Sequence, residues 1–266
     1  MKFTGFLFVS LILMALHTSA QEVRPMATDR PGLGSDAPIT VPKGYLQLEA
    51  GFQMDRDRTT TGTMEVDEIA WVYPTSLFRY GILDNWEFRV SFDLLTVESQ
   101  LINRDLRSVE RGVSPLNLGT KVSITEEQGW IPYMSVQLSL SIASTGSEDF
   151  RTRFTQPTII WLMTKSITDK LDLTINLGSS WEDDLPAATY SYAASFDMSL
   201  QEKLGTFLEF YGFMPEAGPN MHLVNYGLTY LLNPALQLDV SSGVGLNREA
   251  TDYFIGLGLS GRIDLL

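Results

Sequence analysis

The stretch Trp86-Glu87-Phe88-Arg89-Val90-Ser91-Phe92-Asp93-Leu94 changes polarity at every step. In an extended chain successive side chains point to opposite faces, so Trp86, Phe88, Val90, Phe92 and Leu94 share one face while Glu87, Arg89, Ser91 and Asp93 share the other. One face is apolar and the other charged. The device returns in residues 171–177, with Leu171, Leu173, Ile175 and Leu177 against Asp172, Thr174 and Asn176, and in residues 236–246, with Gln237, Asp239 and Ser241 on the polar side. Weaker copies occupy residues 46–54, 116–124, 134–142, 190–200, 224–232 and 253–265. Residues 71–80 and 206–213 are shorter segments, and residues 157–164 alternate less cleanly. Together these predict an all-β chain of roughly twelve strands, an even number as a bacterial antiparallel barrel requires.

The connections alternate in length. Tight ones are expected at residues 83–85, 125–129, 167–170, 201–205 and 233–234, and long polar ones at 55–62, 97–114, 144–153, 182–188, 215–220 and 247–251. Outer-membrane barrels join their strands by short periplasmic turns and longer external loops. Tyr80, Trp86 and Trp130 stand beside tight turns and Trp181 and Tyr190 beside a long loop, as an aromatic girdle at each interface would place them. A soluble β-sandwich with aromatic residues in its core is the alternative that alternation alone leaves open.

The first residues weigh against that alternative. Lys2 precedes an apolar run from Phe3 to Leu16, and small residues follow at Thr18, Ser19 and Ala20. The run is shorter than the ~20 residues of a spanning helix, so it reads as a secretory signal peptide over residues 1–20, cleaved after Ala20. There is no cysteine, hence no disulfide, lipoprotein anchor or thiolate metal site. A net charge of -13 lacks the basic footprint that a polyanion needs, so nucleic acid is excluded as a partner. The expected organisation is a signal peptide over 1–20, a periplasmic N-terminal segment over 21–43, and an outer-membrane β-barrel over 44–266. The proline-rich N-terminal segment has two possible places, the periplasm or the barrel interior as a plug.

Several motifs in order resemble a family of outer-membrane barrels named for the meta-cleavage pathway of phenol degradation. They begin with Thr28-Asp29-Arg30-Pro31-Gly32, Val41-Pro42-Lys43-Gly44 and Leu48-Glu49. Arg79-Tyr80-Gly81-Ile82, Glu87-Phe88-Arg89, Gly119-Thr120-Lys121, Asn176-Leu177-Gly178, Phe207-Leu208-Glu209, Gln237-Leu238-Asp239 and Gly258-Leu259-Ser260-Gly261-Arg262 follow. The chain departs from the family pattern at Pro115 and Asn225, where an acid is expected, and at Ser144, where a proline is expected. The resemblance implies a barrel and suggests transport without naming a cargo.

With the strand phases as drawn, the lumen-lining residues are Glu49, Arg79, Glu87, Arg89, Asp93, Lys121, Asp172, Asp197, Glu209, Asp239 and Arg262, with Asp264 beyond them. Mixed charges can set selectivity in an open pore. They can equally pair across a narrow barrel and fill it. Arg79, Glu87 and Arg89 are expected to form one cluster near the periplasmic mouth, since Arg79 and Arg89 lie equally far from the turn at Asp84 and Glu87 sits diagonal to Arg79. The reading is an outer-membrane channel or transporter for small molecules, hydrophobic or aromatic compounds among them. A closed barrel with an ion-paired lumen is the runner-up, and a lipid hydrolase ranks third. His222 is the histidine that would survive cleavage, but no serine stands two residues beyond it, so a catalytic role is not expected. No metal or other cofactor is expected either, and acids such as Asp55 with Asp57 or Glu182-Asp183-Asp184 read as solvated loop charge. The implied partners are outer-membrane lipid and lipopolysaccharide, the barrel-assembly machinery and a small-molecule solute.

Overall fold

A computed structural model describes residues 26–181 and 187–266. The expected signal peptide and the cluster Glu182-Asp183-Asp184 lie outside the described residues. In chain order the strands are β1 (Tyr45–Thr61), β2 (Met64–Leu83), β3 (Trp86–Ser91), β4 (Leu94–Leu101), β5 (Leu106–Val113), β6 (Asn117–Thr125) and β7 (Tyr133–Ser141). They continue as β8 (Gln156–Thr168), β9 (Leu171–Trp181), β10 (Ala188–Gln201), β11 (Leu204–Pro215), β12 (Met221–Asn233), β13 (Leu236–Gly245) and β14 (Tyr253–Asp264).

All pairings between these strands are antiparallel, and β1 meets β14 from Tyr45↔Asp264 to Arg56↔Tyr253, which closes the sheet on itself. β3 and β4 form one barrel strand interrupted at Phe92 and Asp93, since both pair with β2; β5 and β6 form its neighbour, interrupted at residues 114–116. The wall is therefore a closed barrel of twelve strands. Closure gives every strand two partners, the condition for crossing a bilayer with the backbone satisfied.

The distribution of polarity is inverted relative to a soluble core. Arg79, Lys121, Glu49, Glu87 and Glu209 rank among the most deeply buried side chains. Phe88, Leu177, Leu208, Leu228 and Leu257 on the opposite phase are exposed, and with their neighbours they form an apolar belt around the outside. That inversion excludes the sandwich, whose apolar face would be hidden between sheets. Tyr80, Trp86 and Trp130 mark the belt at the short-turn end, periplasmic in barrels of this kind, and Trp181 and Tyr190 mark the other rim.

Two expected loops are strands. Residues 55–62 continue β1 into a hairpin with β2, and residues 97–114 form most of the β4–β5 hairpin around a 3-10 turn at Ile102–Arg104. Their sequences lose alternation because these hairpins run past the apolar belt, where both faces of a strand are wet. β1 and β2 are 17 and 20 residues long, well beyond the ~9–11 that a tilted strand needs to cross the hydrocarbon.

Candidate functional site

Inside the barrel lies the N-terminal segment itself. The part expected in the periplasm occupies the lumen from Met26 to Lys43, because inward side chains satisfy its backbone as a sheet neighbour would. Glu49 on β1 accepts from the amides of Asp29 and Arg30 at 2.9 and 3.1 Å. Glu87 on β3 accepts from the amide of Val41 at 2.7 Å. On the far wall Glu209 of β11 accepts from the successive amides of Leu33, Gly34 and Ser35 at 3.2, 3.1 and 3.0 Å, and from the Ser35 hydroxyl. Carbonyls of the segment are served by donors: Arg79 donates to Ala27 and Ile39, Lys121 to Ala37, and Asn176 to Asp36. A segment without regular structure is tolerated at membrane depth only where protein surrounds it in this way.

Around this plug the charges form one buried network. Arg79 and Arg89 are cross-strand neighbours, and Glu87 lies between them, 2.9 Å from Arg79 Nε and 2.9 Å from Arg89 Nη1. Arg79 also reaches Glu49 at 2.8 Å. Asp29 of the plug completes the network by pairing with Arg89, with Lys121 at 3.0 Å and with Arg79 at 3.5 Å. Burial alone would raise the Asp29 carboxyl, but the charges of Arg79, Lys121 and Arg89 together hold it well below the usual carboxylate range. Each charge thus has an opposite neighbour, the condition under which buried ions persist. Arg30 extends the network to β13, where it pairs with Asp239 at 3.3 Å, and it donates to Thr75 at 2.9 Å.

The remaining residues read as lumen-lining are distributed more widely. Asp93 sits at the break between β3 and β4, where its carboxylate caps the amide of Ser76 at 3.1 Å. Asp172 and Asp197 face each other across β9 and β10, and Asp197 accepts from the hydroxyls of Thr174 and Ser195 at 3.1 and 2.9 Å. Arg262 is buried on β14 with its guanidinium over the Tyr45 ring, whereas Asp264 is exposed at the barrel end. Asn225, a departure from the family pattern, is buried 3.4 Å from Glu209 and 3.5 Å from the Pro31 carbonyl. A neutral donor there supports the anchoring acid, where a second carboxylate would repel it. His222 lies at the loop end of β12, with Nδ1 2.9 Å from the Tyr192 hydroxyl.

The plug leaves space on its two sides. Toward the periplasmic end a cavity of about 250 Å³ lies between it and the wall of β9 to β12, lined by Asp172, Asp197, Ser195 and Thr206 together with Arg30 and Asp36. Toward the outer end a second cavity of about 270 Å³ is bounded by Leu33 of the plug and by Tyr211, Phe213, Leu223 and Phe254 of the wall. The lumen list contained none of these last residues. Their signal was the loss of alternation in Phe210-Tyr211-Gly212-Phe213-Met214, where inward and outward phases are both apolar.

The fold has several solved counterparts at low sequence identity. An outer membrane channel from Pseudomonas putida F1 aligns with a TM-score of 0.63 at 13% identity, over 88% of this chain and 99% of that one. The translocator domain of the autotransporter NalP from Neisseria meningitidis gives 0.57 at 10% identity, over 98% and 96%. The NanC porin gives 0.51 at 8% identity, over 82% and 100%. These likenesses establish the architecture of an outer-membrane barrel. No curated protein sequence matches the chain. Residues 28–263, from the plug motif to the last strand, match the family described as "Putative MetA-pathway of phenol degradation", and the chain belongs to that family.

Proposed function

We propose that the protein is a passive channel or transporter for small molecules in the outer membrane of a Gram-negative bacterium, exported by its first twenty residues and gated by residues 26–43. The observation that carries this reading is the uneven attachment of the plug. Ion pairs fix it to β2, β3, β6 and β13, while toward β9 to β12 it is held by uncharged or backbone hydrogen bonds alone and a polar cavity of about 250 Å³ opens beside it. A solute path along that side requires the plug loop at residues 31–35 to yield, and leaves the ion pairs of Asp29 and Asp36 in place. Hydrophobic or aromatic solutes are supported by the family, whose description names phenol degradation.

A second reading is favoured by the buried network itself: a closed barrel whose lumen is filled permanently by the plug. Reconstitution in planar bilayers separates the two. Stepwise conductance is expected; a folded, heat-modifiable protein that never conducts would establish the closed barrel. We read the protein as non-enzymatic, because the side-chain partner of the His222 imidazole at the rim is the Tyr192 hydroxyl and not a serine that it could activate. Phospholipid turnover should be absent and indifferent to His222→Ala. A turnover that vanished in that variant would restore the hydrolase.

A further inference from the structure

The inward faces of β11, β12 and β14 change character along the barrel axis. On β11 the inward residues run from Glu209 at mid-depth to Tyr211 and Phe213 toward the outside, and on β12 from Asn225 to Leu223 and Met221. On β14 Phe254 takes the corresponding outer position. Tyr211, Leu223 and Phe254 are buried and packed in one cluster with Ala193 and Ala250, and Phe213 and Met221 lie against it. Tyr211 and Phe213 meet edge to face, with ring centroids 6.1 Å apart. An apolar patch on the water side of a barrel is out of place as lipid contact, and these residues are on the wrong phase to touch lipid.

The cluster does not fill its space. A cavity of about 270 Å³ remains, floored by Leu33 of the plug and edged by Gln53 and Asp55 of β1. In volume it exceeds about 150 Å³, which suffices for benzene, and it opens toward the outer side. The acid at the edge is turned to its neighbour, since the Gln53 amide donates to both oxygens of Asp55 at 2.8 and 3.0 Å, and the apolar side chains form the opposite wall.

We propose that this cup, lined by Tyr211, Phe213, Met221, Leu223 and Phe254 and floored by Leu33, is a binding site for one small uncharged hydrocarbon-like molecule of single-ring size. Its role in passage rests on the channel reading: the cup collects the solute from the outer side directly above the plug loop, at residues 33–35, that Glu209 holds shut. Binding itself does not depend on conduction.

The test uses the full barrel in nanodiscs with radiolabelled toluene, and empty nanodiscs to subtract partitioning into lipid. One saturable site per barrel is expected. Leu223→Asn removes an apolar wall of a kind worth about 1.5–3 kcal/mol when buried, so affinity should fall about tenfold or more. Phe213→Ala, at a less buried position, should weaken binding to a smaller degree and guards against misfolding of the first variant. Leu228→Ala on the lipid face of β12 should leave binding unchanged. Toluene uptake no greater than in empty discs, or equal affinity in all these variants with heat-modifiable mobility intact, would overturn the site. Conductance without toluene binding removes the cup and spares the channel; toluene binding without conductance removes the channel and leaves the cup.

Discussion

Two walls of the same barrel treat the plug differently. The wall of β1, β2, β3 and β6 offers Glu49, Arg79, Glu87, Arg89 and Lys121, which lock onto Asp29 through a continuous run of ion pairs. The wall of β9 to β12 offers Thr174, Asn176, Ser195, Asp197, Glu209 and Asn225; of these Glu209 holds three plug amides in a row, and Asn176 and Asn225 each reach one plug carbonyl. The rest face an open chamber. Both walls follow the same alternation of apolar and polar residues. What separates a seal from a path is whether inward charges of opposite sign are present to meet the plug, and on the second wall the charges are all acidic.

The most severe way to break this contrast is to strike the gripping wall. Arg79→Ala would leave Asp29, Glu49 and Glu87 without their shared cation, and removing one partner from a buried ion pair costs about 3–5 kcal/mol. Urea refolding titrations into lipid should register a loss of that size. The outer face of the same wall comes next. Phe88→Arg puts a cation into hydrocarbon and should cost about 2–4 kcal/mol, whereas Ser91→Arg, on the inward phase, should cost less. A reversed order would mean that the phase of β3 is inverted. The far wall should be tolerant: Asp197→Asn keeps its hydrogen-bonded neighbours and should change stability by no more than about 0.5 kcal/mol. If the channel conducts through the chamber, that substitution should also reduce preference for cations, read as a shift in reversal potential under a salt gradient. A stability loss at Asp197 comparable to that at Arg79 would erase the distinction between the walls.

How much of this the sequence contained differs by region. Strand existence, phase and number followed from alternation, because a bilayer outside and water inside impose opposite demands on successive residues. The cluster at Arg79, Glu87 and Arg89 followed too, since hairpin symmetry about Asp84 fixes which residues face one another. The hairpins beyond the membrane escaped, as residues 97–114 meet water on both faces and lose the period that identifies a strand. The position of the plug also escaped. Its prolines and glycines carry no periodicity, and the partners that hold it, Glu49, Glu87 and Glu209, are 20, 46 and about 175 residues away along the chain. Those partners were visible as motifs of the family resemblance. Structure supplies the reason they occur together: Glu49, Arg79, Glu87, Lys121, Asn176 and Glu209 each touch the plug.

The central claim is that the plug closes the lumen and that its attachment to the far wall is the weak one. Single-channel recording of the unmodified barrel against Glu209→Ala tests it most directly. Loss of the acceptor for the amides of Leu33, Gly34 and Ser35 loosens the loop, which keeps the Asn225 and Asn176 contacts to its ends, while leaving the ion pairs of Asp29 intact. The account predicts brief, small openings in the unmodified barrel and longer, larger ones in Glu209→Ala, with both proteins equally heat-modifiable. Indistinguishable conductance in the two, or silence in both, would contradict it.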